Sequence, residues 1–213
     1  MKADRQPPQR HQEVLLPEDV LGYWIGPAAN DASVAEAKQA LWFRKSFETD
    51  REIARAFLPT MAALSAGLAD DWARRGIRPR LAAIIALDQF SRNVFRGQPE
   101  AFENDEQALS LALLGIALGL ERDLSEVERA FLYLPLEHAE EADMQARCVT
   151  LFEALLDEAR EEFKPLVENW LDYARRHKDV IDRFGRFPHR NAILGRENTA
   201  EEAEYLSQPG AGF

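Results

Sequence analysis

One spacing limits this chain more than any other feature. Between Pro165 and Phe184 the side chains of Leu166, Trp170, Ala174, His177, Ile181 and Phe184 recur every three or four residues, lining one face of an α-helix. Stretches that alternate apolar and polar residues, or that pair around Asn-Gly turns, are missing, so no sheet is expected. A helix with one apolar stripe is stable only when that stripe is covered. With short connections between such helices, the expected fold is all-α: antiparallel helix pairs stacked as a bundle or a short superhelix.

Start and stop signals divide the chain accordingly. Pro17 opens a short helix that Gly26-Pro27 ends. Thr49-Asp50-Arg51-Glu52 has the form of a capping box and is expected to open a helix bearing Ile53, Phe57, Met61 and Leu64, closing at Gly67. Ser125 to Glu128 and Thr199 to Glu202 have the same form. Pro79 leads into Leu81 to Phe90, apolar nearly all round, which belongs at the centre of a domain. A loop over 92–99 should follow, and then a helix from Pro99 to about Gly119. Another is expected from Met144 to Arg160, and Gly185 reads as the left-handed cap of the long helix. No repeat of 30 to 45 residues stands out, and no linker divides the chain. The expectation is a solvated tail over residues 1–14 and a single helical domain over 15–213.

Composition excludes several classes of function. The longest apolar stretch, Leu111 to Leu120, falls well short of the ~20 residues of a membrane span. The N-terminus has no apolar signal core, and the one cysteine, Cys148, cannot form an internal disulfide, so a cytoplasmic protein is expected. A formal charge of −11 argues against nucleic acid and anionic membranes as partners. Yet residues 175–196 hold seven basic side chains (Arg175, Arg176, Lys178, Arg183, Arg186, Arg190 and Arg196) against the two acids Asp179 and Asp182.

Three stretches carry polar groups that a plain scaffold does not need. In Leu87 to Gly97, Asp88 shares a face with Ile84 and Ile85, so its carboxylate is drawn inward and needs Arg92 or Arg96 as partner, with Asn93 beside them. A structural ion pair explains this as readily as a functional one. In Phe131 to Glu141, Pro135 should interrupt the helix, and Glu137 and His138 follow. A lone inward histidine is more often a hydrogen-bonded core residue than a ligand. In Arg183 to Arg196, Arg186, His189, Arg190, Asn191 and Arg196 form a donor-rich segment interleaved with Phe184 and Phe187. Guanidinium forks there suit a carboxylate or phosphate. His177 adds a third imidazole, within the apolar stripe. HExxH, a cysteine cluster, an EF-hand loop, a GxSxG elbow and a phosphate-cradling glycine loop are all absent, and Cys148 lies on the stripe Met144, Cys148, Leu151, Leu155. No metal and no cofactor is implied.

The segments DQFSRNVFRG, FLYLPLEHAE and RFGRFPHRNAILGRENTAEE resemble the hallmark motifs of the family known as domain of unknown function 924. The likeness runs from about Leu21 to the C-terminus. It implies an all-helical, tetratricopeptide-like architecture of stacked helix pairs, and it assigns no activity and no catalytic residue. The residues therefore suggest a pocket for a small anionic molecule, an enzyme being one form such a pocket takes. Arg92, Arg96, Arg186 and Arg190 would fix the ligand, His138 or His189 would act as acid or base, and Asp88 or Glu137 would orient it. The alternative is a helical-repeat module holding an acidic or C-terminal peptide. The sequence leaves the oligomeric state open.

Overall fold

The all-apolar segment is where the chain packs on itself most densely. In the computed structural model, which describes residues 13–212, every residue from Arg80 to Ser91 is buried. The tail expected over residues 1–14 lies almost wholly outside the described residues. The α-helices are α1 (Pro17–Trp24), α2 (Ala32–Phe43), α3 (Phe47–Ala63), α4 (Ala69–Arg74), α5 (Ile77–Ile85), α6 (Ser91–Val94), α7 (Asp105–Ala117), α8 (Glu126–Glu137), α9 (Ala142–Glu158), α10 (Lys164–Phe184) and α11 (Ala200–Leu206). Among the described residues there is no strand; the fold is all-α. Helix α5 packs against α1, α4, α7 and α8, and α9 lies along both α8 and α10.

Local chemistry accounts for most boundaries. Ser125 and Thr199 cap α8 and α11 through the expected boxes with Glu128 and Glu202. Gly185, at φ 68°, closes α10 in the left-handed conformation. Three boundaries differ from the sequence reading. Helix α3 starts at Phe47 with Ser46 as its cap, because the Ser46 hydroxyl reaches the Thr49 amide first and leaves Thr49 inside the first turn. Pro99 opens only a 3₁₀ turn, Pro99–Phe102, and α7 begins at Asp105. Pro135 does not break α8, which continues to Glu137.

Two segments wind more widely than an α-helix. One, Leu64–Leu68, contains Gly67 at φ 117°, where the chain turns into α4. The other, Ala86–Phe90, joins α5 to α6 without leaving helical dihedral space at its flanks, and it contains Asp88. Such π-helical turns recur at functional sites because they aim side chains that a regular helix would place elsewhere.

Candidate functional site

Asp88 is driven into the core by its neighbours, and its π-turn points it at the end of α8. Its side chain is 1% exposed. One carboxylate oxygen accepts the Nδ1–H of His138 at 2.7 Å and lies 3.0 Å from an Arg92 guanidinium nitrogen. The other accepts from the Gln89 amide. Burial by itself would raise the carboxyl, but Arg92, His138 and Gln89 outweigh it and hold Asp88 well below the usual carboxylate range. The group is a permanent anion in a dry place.

Arg92, one turn further on, also donates two parallel hydrogen bonds of 2.9 Å to Asp105 at the start of α7. Such a fork-to-fork pair fixes both partners in one plane. Arg190 reaches the same carboxylate by a long 3.5 Å contact and donates to the His138 carbonyl at 3.0 Å. Its guanidinium lies between the Phe102 and Phe187 rings, 4.7 and 4.6 Å from their centroids. Burial first, and the Arg92 charge second, bring Arg190 down to about 10, which leaves it a cation at neutral pH. Its Nε is buried without a hydrogen-bond partner.

Behind this pair lie two more groups. Glu137 and His177 approach to 3.1 Å, and the His177 Nδ1–H also reaches the Tyr173 carbonyl at 2.8 Å. Burial, with the Asp88 charge adding to it, pushes the Glu137 carboxyl up to about 8. Burial holds the His177 imidazole well below its ordinary value. Burial followed by the Arg190 charge brings His189 down to about 4. His138 is lowered by burial and by Arg92, with Asp88 opposing. At neutral pH the assembly thus holds two cations (Arg92, Arg190), two anions (Asp88, Asp105), a largely protonated Glu137 and neutral imidazoles.

His138 is the member with chemistry to offer. The ionised Asp88 fixes its Nδ1–H tautomer, so Nε2 carries the lone pair. That nitrogen makes no hydrogen bond to a described residue. Solvent reaches the cluster at Arg92, Asp105 and His138, whose side chains are 20, 22 and 14% exposed. The end of α8 is pinned from below by the Gln145 amide, which reaches the carbonyls of Leu136, Glu137 and Ala139.

The three stretches singled out in the sequence therefore meet. Asp88, Arg92, Glu137, His138, His177, His189 and Arg190 converge, while the remaining candidates sit apart. Asn93 and Arg96 both bind Asp50, at 2.8 Å, on the other side of the same turn. Arg186 is forked onto Glu202. Arg196 is forked onto Glu140 and also holds Asn191, while Glu140 in turn accepts the Phe187 amide at 2.7 Å. These pairs tie the 183–196 segment to the rest. The basic run over 175–196 is thus not an open row of donors: Arg175, Lys178, Arg183, Arg186, Arg190 and Arg196 each face an acid. Its excess charge is spent on acids from α7, α9, α11 and the α8–α9 turn. Asp105, Glu140 and Phe102 complete the site without having been marked by the sequence. Among the described residues no group of three or more His, Cys, Asp and Glu is placed to hold a metal ion.

An all-α protein in which the π-turn after its central helix joins the end of α8 in an Asp–His–Arg cluster is the class this arrangement defines. The chain matches, over residues 20–210, the family described as bacterial protein of unknown function (DUF924), and it belongs to that family. The solved structure of the protein of unknown function ATU0120 from Agrobacterium tumefaciens is similar to it, with 34% identity and a TM-score of 0.75, covering 91% of this chain and 97% of that one. Nothing matches among curated proteins. Among the described residues no helix is long and apolar enough to cross a membrane.

Proposed function

We propose that the chain binds a small molecule bearing a carboxylate or phosphate at the mouth formed by Arg92, His138 and Arg190, and that His138 exchanges a proton with it. The observation that carries this reading is the Asp88–His138 pair: a buried carboxylate orients an imidazole whose other nitrogen bonds to no described residue and whose side chain is 14% exposed. An oriented neutral imidazole is a general base at neutral pH. The two guanidinium groups keep N–H donors beyond those given to Asp105 and the His138 carbonyl, and the cluster carries no net charge that would repel an anion. The supported activity is acid–base chemistry on an anionic substrate in the cytoplasm, a location suggested by the single, buried and unpaired Cys148.

The packing of α8, α9 and α10 in succession favours a tetratricopeptide-like stack, and such a stack suggests an acidic peptide as the other occupant. The small molecule is preferred because the polar groups converge on one point rather than along a groove. The test is a thermal-shift series with inorganic phosphate, succinate and citrate. A binder at about 100 times its Kd should raise Tm by roughly 5–10 °C, and the His138 imidazole nitrogens should move in ¹⁵N spectra. The His138→Gln variant should stay folded and lose the imidazole response. If no anion shifts Tm or the His138 resonances, the proposal is wrong.

A further inference from the structure

Helix α7 is apolar on more sides than its own chain covers. Ala108, Leu111, Ala112 and Gly115 are buried against the body of the protein. Beside that face Leu114 and, just past the end of the helix, Leu118, one turn apart, are 51 and 60% exposed. Leu114, with Leu109, Leu113, Ala117, Ser110, Glu106, Glu141 and Arg147, lines a groove of about 590 Å³ between α7 and the start of α9. Adjacent exposed leucines on one helix face, rimmed by charges, are the pattern of a surface that meets a partner. The remaining exposed large apolar residues are carried by other elements; Phe43 and Phe47, for instance, border the α2–α3 turn.

The rim indicates which partner. It carries both signs, Glu106 and Glu141 against Arg147, and none of these three charges forms an ion pair within the described chain. A patch holding its own complement of apolar knobs, small residues and opposite charges matches itself about a two-fold axis, as the interface of a symmetric dimer requires. We propose that α7 packs against α7 of a second copy of this chain, with Arg147 of each copy facing the acidic rim of the other.

The size of the patch sets its strength. Thirteen helical residues span roughly 20 Å, so the stripe and its rim fall short of the ~800 Å² per partner of a standard stable interface. The dimer is therefore concentration-dependent rather than obligate. Asp105 and Glu106 are neighbours in the first turn of α7, and Glu141 follows the turn that carries His138 and Glu140, so the interface borders the Arg92–His138 mouth without using its residues.

Sedimentation velocity of the full chain over a hundredfold concentration series is the test. A monomer–dimer equilibrium is expected. The Leu114→Glu, Leu118→Glu double variant should sediment as a monomer throughout, with an unchanged far-ultraviolet circular dichroism spectrum. Phe47→Ser should dimerise as the parent does. Arg147→Glu should weaken the dimer at least tenfold, and adding Glu106→Arg and Glu141→Arg should restore it. A parent chain that stays monomeric at every concentration overturns the proposal. So does a double variant that still dimerises, or loss of the dimer in Phe47→Ser.

Discussion

One short stretch of chain, from Asp88 to Arg96, feeds two ion clusters that differ in what they leave over. On one side Asn93 and Arg96 close on Asp50, with three hydrogen bonds of 2.8 Å converging on its two oxygens. On the other, Asp88 binds Arg92, His138 and Gln89. In the first cluster an amide and a guanidinium occupy both carboxylate oxygens, and the product is the docking of α3 on α6. In the second, an imidazole joins the amide and the guanidinium and turns one nitrogen towards the carboxylate and the other away from it. Composition alone does not separate a fastener from a reactive centre. The surplus valence of one member does.

The largest effect expected from breaking this contrast is at Asp88. Asp88→Ala leaves Arg92 and His138 around an emptied, dry site and should cost about 3–5 kcal/mol in urea unfolding. A loss below about 1 kcal/mol would mean that the aspartate is solvated after all.

Next in size is the pH dependence set by Glu137. Its folded value of about 8 lies above the ordinary 4.5, so its contribution to stability is complete below pH 4.5 and is lost as pH rises towards 8. His138, His177 and His189 are shifted downwards, so their contribution is complete above pH 6.5 and is lost as pH falls, for His189 through about 4. Between pH 6.5 and 8 only the Glu137 slope remains. Stability should therefore fall across that window, and Glu137→Gln should flatten the fall. An unchanged slope in the variant would show that Glu137 is ionised throughout.

On the other side of the turn, Arg96→Ala strips one partner from Asp50, whose side chain is only 12% exposed. It should cost about 1–3 kcal/mol while leaving the His138 nitrogen resonances in place. A shift in those resonances would show that the two clusters are coupled. The smallest effect belongs to Arg175, paired with Glu153 in the open, where both side chains are about half exposed. Arg175→Ala should change stability by no more than ~0.5 kcal/mol, and a larger loss would promote that pair from surface to scaffold.

How much of this could be read beforehand depended on the range of the interaction. The caps at Ser125 and Thr199, the glycine stop at Gly185 and the all-apolar run before Asp88 are local, and they were legible residue by residue. Ser46 competed with Thr49 for the same helix start, and only the geometry of the turn decides between two hydroxyls three residues apart. Asp105 escaped notice for a different reason: an acid in the first turn of a helix is favoured by the helix dipole and signals nothing more. Its partners are 13 and 85 residues away in sequence. Glu140, beside Glu141, looked like one more solvated acid, although it joins segments 47 and 56 residues apart. The surplus of arginines over 175–196 was visible, but the acids that neutralise most of it are scattered along other elements. The chain alone therefore could not tell a row of free donors from a row of occupied ones.

The widened turn at Ala86–Phe90 has a consequence for how this site can be lost. Such a turn is equivalent to one surplus residue carried inside a regular helix. Remove one residue from it and the helix can close into ordinary α-winding with the segments on either side still in phase. Arg92, Asn93 and Arg96 would keep their faces, and the side chains of the turn itself, Asp88 among them, would be re-aimed. One missing codon would thus break the Asp88–His138 contact while sparing the Asp50 cluster and the apolar character of the helix.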